Sequence, residues 1–154
     1  MADYNDGFDF GINDFGELQL DDLTYDIHKK EGNENKIQLS ISRIKSVASN
    51  WFYDNAGANL ELIIGKPCNA DTAETGKTMI SNALTMDNLW KENEFIIVSE
   101  INNNKKTISY TIYFKIYQQD SEIPSSATIN VLLDLVKGVN INYGWKARDY
   151  ECNY

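Results

Sequence analysis

The sequence predicts an α+β fold: short N-terminal strands, a three-helix middle, a long antiparallel β-hairpin and a C-terminal extension of helix or strand. Three observations lead there. Apolar residues recur at three- and four-residue steps between Ile37 and Ala48, as on one face of a helix. Between Phe95 and Ile116 they alternate, as on one face of a sheet. The length of 154 residues sets one domain as the expectation. That single domain is read as 1–154, with an acidic arm at 1–28 and an extension at 118–154.

Along the chain, Phe8, Phe10 and Ile12, then Phe15, Leu18, Leu20 and Leu23, alternate loosely with Gly11 and Gly16 between them, which favours short strands or an extended hairpin. Ile37, Ile41, Ile44 and Ala48 mark an amphipathic helix over roughly 34–49, with Asn33 or Asn35 as its N-cap. Leu60, Ile63 and Ile64 mark a second, short helix stopped by Gly65 and Pro67. Asp71 and Glu74 have capping-box spacing ahead of a third helix over roughly 72–85, carried by Ala73, Ile80, Ala83 and Leu84. Phe95, Ile97 and Ile101 then share a face, and after Asn102-Asn103-Asn104-Lys105 the set Ile108, Tyr110, Ile112, Phe114 and Ile116 lines another, so a hairpin is expected over 95–117. Further on, Ile129, Leu132, Leu133 and Val136 have helical spacing, with Gly138 as a stop, while Ile129, Val131, Leu133 and Leu135 alternate as a strand would. Both readings stay open there. Val139, Ile141, Tyr143 and Trp145 read as a final strand.

Composition narrows the function. Hydrophobic residues make up 42% and charged residues 24%, both ordinary for a globular protein. The net charge is −9, and eight acidic residues with no Lys or Arg fall before His28, so almost the whole imbalance sits in the first 28 residues. Such a chain repels a phosphate backbone, which argues against nucleic acid as a partner. The acidic segment is either a solvated arm or one that docks on a basic partner surface. Two cysteines, Cys68 and Cys152, are too few for a disulfide framework. No basic-then-apolar leader and no apolar run of roughly 18 residues is visible, so synthesis in a reducing cytoplasm and no membrane partner are expected.

Catalytic parts are scarce. His28 is the only histidine, so a Ser/His/Asp or Cys/His site would have to use a residue at the end of the acidic arm. One His and two isolated Cys cannot make a zinc site within one chain. Glu74-Thr75-Gly76-Lys77-Thr78 ends like a phosphate-binding loop, but Asp71 stands where that motif needs its first glycine. Glu92 and Glu94 are two apart, so on an extended segment they would share a face, as a glycan hydrolase requires. The residues around them suggest no apolar pocket to raise one pKa. No catalytic residue, cofactor or metal is expected.

The segment Trp51-Phe52-Tyr53-Asp54-Asn55-Ala56-Gly57-Ala58-Asn59-Leu60, followed by Ile63-Ile64-Gly65-Lys66-Pro67, resembles the baseplate-wedge and sheath-initiator family of contractile phage tails and phage-tail-like particles. Phe10-Gly11-Ile12 with Phe15-Gly16-Glu17-Leu18 is similar to the family's start, and the likeness covers roughly 9–117. Many members carry Glu-Pro-Arg at the entrance to the hairpin. Glu92-Asn93-Glu94 stands here, and a glutamate cannot make an arginine's bidentate contacts, which implies a divergent branch. The resemblance implies a structural baseplate component, assembled in the bacterial cytoplasm, that links the baseplate to the first sheath ring and templates sheath assembly. Its partners would be the sheath protein, baseplate-wedge proteins and the tail tube, with several copies around the tail axis. Implied partner contacts fall at Trp51, Phe52, Asp54 and Gly57, at Glu92, Asn93 and Glu94, and along the hairpin at Tyr110, Ile112 and Phe114. The alternatives are a small acidic glycan hydrolase using Glu92 and Glu94, and a free-standing cytosolic binding domain.

Overall fold

In a computed structural model of the chain, the residues described are 8–13, 17–46, 57–116 and 125–146. They fall in two compact units, Met1–Ser40 and Ile41–Tyr154.

In the first unit, β1 (Phe8–Phe10) pairs antiparallel with β2 (Lys29–Glu31), setting Phe8 opposite Glu31 and Phe10 opposite Lys29. Single bridges join Ile12 to Leu18 and Leu20 to Ile27. Three backbone bonds close a ring among the segments: Gly11 N–H donates to His28 O at 2.7 Å, His28 N–H to Gln19 O at 2.8 Å, and Gln19 N–H to Gly11 O at 2.8 Å. Among the described residues of this unit Ile37 is the one buried hydrophobic side chain, so such bonds carry much of the structure. α1 (Gly32–Lys45) follows β2 directly, and its residues from Ile41 onward belong to the second unit. Its Gln38 carboxamide behaves like a strand's backbone, accepting from Ile12 N–H at 3.0 Å and donating to Phe10 O at 2.9 Å. Asn33 and Asn35, expected as caps, lie inside the first turn because the helix begins at Gly32 (φ 58°), and Asn35 is buried.

The second unit is one helix on a four-stranded sheet. β3 (Phe95–Asn102), β4 (Thr107–Ile116), β5 (Ser125–Asp134) and β6 (Gly138–Lys146) form an antiparallel meander in chain order. Phe95 lies opposite Phe114, Ile112 opposite Ile129, and Val131 opposite Ile141. Alternation does what it predicts: Phe95, Ile97, Ile108, Tyr110, Ile112 and Phe114 are buried, and so are Ala127, Ile129, Val131 and Leu133. α2 (Ala70–Thr85) supplies the opposing layer through Ala73, Gly76, Ile80, Ala83 and Leu84. Trp90 packs on Phe114 with ring centroids 4.6 Å apart.

Three expectations are corrected. Among the described residues the middle of the chain holds two α-helices and not three: Leu60–Ile63 is a 3₁₀ turn of four residues. Asn59 (φ 55°) before it and Gly65 (φ 87°) after it hold left-handed conformations, which leaves too few residues to nucleate an α-helix. In the C-terminal extension the strand reading holds, because Val131 and Leu133 are buried while Leu132 and Val136 of the helical set are exposed. Gly138 (φ 124°) opens β6 and does not stop a helix. Finally, α2 is capped by Asn69, whose Oδ1 accepts from Thr72 N–H at 2.9 Å, so Asp71 lies in the first turn and makes no capping box.

The glycine of the phosphate-loop-like segment has a packing role. A Cβ at Gly76 would collide with the Tyr110 hydroxyl, and that hydroxyl donates to Ala73 O at 3.0 Å. Helix propensity alone favours Gly76→Ala by about 1 kcal/mol. Overpacking at this contact outweighs it, so the variant is expected to lose about 1–3 kcal/mol in denaturant unfolding. Tyr110→Phe removes the colliding oxygen, and the double variant should recover part of that loss. Burial, and to a lesser degree the Glu74 charge, pushes the Tyr110 phenol from 10.0 to about 12. A raised pKa favours the protonated form in the fold, so this contribution is complete below pH 10 and lost as pH rises through 12. Wild type should therefore destabilise more steeply than Tyr110→Phe between pH 10 and 12, measured by unfolding across that range.

Candidate partner interface

β3 is an edge strand: among the described residues it pairs only with β4. On its inner face Phe95 and Ile97 are buried, whereas on its outer face Ile96 is 55% and Val98 51% exposed. Tyr113, directly opposite Ile96 on β4, is 49% exposed, so the three form one apolar patch on the outer face. Beside the strand runs a groove of ≈ 390 Å³ between β3 and α2. Its helix wall is polar, from Glu74 and Lys77 to Ser81 and Asn82, and its strand wall is Phe95–Ile97. An edge with apolar alternate side chains and a polar groove alongside suits an added strand, which brings its own backbone donors and acceptors.

The entrance to the hairpin is a tight turn. Glu94 Oε2 accepts from Lys91 N–H at 2.9 Å, Glu94 N–H donates to Lys91 O at 3.0 Å, and Lys115 N–H donates to Glu94 O at 2.8 Å. Glu94 is half-buried, whereas Glu92 and Asn93 are exposed. Because the segment turns, the rule that residues two apart share a face does not apply to Glu92 and Glu94. One of the two carboxylates is already engaged in holding the turn.

Apart from Glu92, Asn93 and Glu94, the implied contact residues separate into three groups. Trp51, Phe52 and Asp54 lie outside the described residues. Tyr110, Ile112 and Phe114 are at most 1% exposed, so a partner cannot reach their side chains. Side chains on β4 alternate, and Tyr110, Ile112 and Phe114 are on its core-facing side. The reachable residues are the interleaved Ser109, Thr111, Tyr113 and Lys115. Gly57 (φ 110°) has a structural role, since a Cβ there would run into the Ser46 carbonyl that accepts from Asn59 N–H at 3.2 Å.

Arg43 carried no sequence signal, yet it ties the end of α1 to the end of α2. Its Nη1 donates to Met86 O and, at 3.4 Å, to Ala83 O, and its Nη2 lies 3.4 Å from Asp87 Oδ2. A guanidinium at a helix C-terminus bonds its last carbonyls and opposes the negative end of the dipole; Met86 O also accepts from Leu89 N–H at 3.2 Å. α2 ends at its C-cap Met86 (ψ 138°), and Asp87 just beyond it reaches the guanidinium from a left-handed conformation (φ 56°).

Among the described residues no group of three His, Cys, Asp or Glu could hold a metal ion, and no helix is long and apolar enough to cross a membrane. No family model, curated protein or solved structure matches the chain. Arg43→Met keeps most of the apolar stem and removes the donors. It should cost about 1–3 kcal/mol in chemical denaturation, whereas Glu92→Gln, on an exposed side chain, should change stability by less than about 0.5 kcal/mol.

Proposed function

We propose that the chain is a non-catalytic structural subunit of a contractile-tail baseplate, which joins the baseplate to the first sheath ring and templates sheath assembly. The observation that carries this reading is the open edge of β3 with its exposed Ile96, Val98 and Tyr113. Further support comes from the likeness of Trp51–Pro67 to the sheath-initiator family and from the long hairpin that follows. A sheath subunit would add a strand at β3, satisfying the edge N–H and C=O groups and reading Ile96 and Val98 by apolar contact. Baseplate-wedge proteins and the tail tube are the remaining partners in this reading, with several copies set around the tail axis. Its place is then the baseplate of a virion or phage-tail-like particle.

A lysine at Val98 blunts the edge, since a charged side chain there opposes burial by an incoming strand. Val98 is half exposed, so Val98→Lys should fold with stability within about 1 kcal/mol of wild type. In cells producing the particle, wild type is expected to co-sediment with purified tails and Val98→Lys to stay in the supernatant. Complete tails lacking the wild-type chain would overturn the reading. So would clearing of peptidoglycan by the pure protein that disappears in Glu92→Gln and Glu94→Gln, since that outcome makes the chain a glycan hydrolase.

A further inference from the structure

The first unit presents apolar side chains that an isolated fold has no reason to display. Leu18 is 55% exposed, Leu20 59% and Leu23 91%. Leu23 is held out by an ordered turn: Asp21 Oδ1 accepts from Leu23 N–H at 2.8 Å and from Thr24 N–H at 3.3 Å. The turn is closed by Tyr25 N–H donating to Asp21 O at 2.9 Å and Asp21 N–H donating to Asp26 O at 2.8 Å. Those two bonds to Oδ1 also hold the Asp21 carboxyl below its ordinary range, so it stays charged in mildly acidic buffer. The three leucines line an open concavity of ≈ 800 Å³, and Asp21, Asp22 and His28 line it with them.

We infer that this concave face is a docking site for a basic amphipathic segment of a partner protein, with leucine-sized side chains seated between Leu18, Leu20 and Leu23 and Lys or Arg set against the acidic rim. Charge complementarity selects this occupant. Asp21 and Asp22 line the concavity and no Lys or Arg does, so the face repels nucleic acid, anionic lipid and a face-to-face copy of itself. The exposed leucines in turn argue against a purely electrostatic partner, because a hydrated polycation does not remove apolar surface from water. The β3 edge takes no part in this site, and the site does not depend on the assembly reading.

The test uses the full-length chain, ¹⁵N-labelled, titrated with a 14-residue peptide of alternating Leu and Lys. Parallel titrations use the Leu/Glu counterpart and vesicles containing anionic phosphatidylglycerol. The Leu/Lys peptide should shift resonances within 18–28 and bind roughly tenfold more weakly at 300 mM than at 50 mM salt, as screening shortens the reach of the acidic rim. Leu20→Ser/Leu23→Ser and, separately, Asp22→Asn should each weaken binding by roughly five- to tenfold. These side chains are exposed, and Asp21, which builds the turn, is left in place, so circular dichroism should be unchanged. Equal binding of the Leu/Glu peptide, shifts elsewhere in the chain, or affinity indifferent to both variants would overturn the proposal. Binding to the vesicles with no response to the peptide would assign the face to membrane, and concentration-dependent dimerisation lost in the leucine variant would assign it to a second copy; either result overturns it as well.

Discussion

Tyr110 fills the space that any side chain at Gly76 would need, and its hydroxyl bonds the Ala73 carbonyl of the same helix. This seat sets how close α2 approaches β4, and much of the larger unit follows from it. Ile80, Ala83 and Leu84 are buried on the sheet-facing side of the same helix, and the end of α2 lies where Arg43 bonds its last carbonyls. A groove lies between the same helix and β3, and among the described residues the outer edge of β3 pairs with no other strand. A buried phenol is a costly group to hold without a partner. Here the hydroxyl occupies the space that a Cβ at Gly76 would need, so a side chain at that glycine costs stability unless the hydroxyl is removed with it.

The meander is extended beyond the hairpin by a second one, and the two turns are joined. Leu135 N–H donates to Lys106 O at 3.1 Å, and Gly65 N–H donates to Leu135 O at 2.9 Å. Asp134 builds the second turn by accepting from Val136 and Lys137 N–H groups, which hold its carboxyl below the ordinary range. The result is a sheet whose two outer strands are both edges, with β3 carrying the apolar patch.

Period-two alternation makes the hairpin legible in the sequence, because burial on one face of a sheet leaves little freedom in Phe95–Ile116. It also carried the seed of the error at the interface. Strong alternation marks the buried face, so Tyr110, Ile112 and Phe114 were the residues easiest to name and the least able to meet a partner. The exposed Ile96, Val98 and Tyr113 were present in the same pattern, on its other phase. In the C-terminal extension both periods fitted Ile129–Leu135, and tertiary pairing with β4 decided between them. The short helix at 60–64 failed for a local reason, since left-handed Asn59 and Gly65 bracket it. Arg43 and the Gly76–Tyr110 contact join residues 34 or more apart in sequence, and no local spacing announces such a pair.

The assembly reading depends on one property of β3, that its outer backbone is unpaired in the free chain and paired in the particle. Hydrogen exchange of the amides over Ile96–Asn102, compared between the isolated protein and purified tails, measures this directly. Strand addition predicts alternate amides that exchange fast in the free protein and slowly in the particle, with protection inside α2 little changed. Equal exchange in both states would contradict it, because a strand cannot be added without occupying those N–H groups.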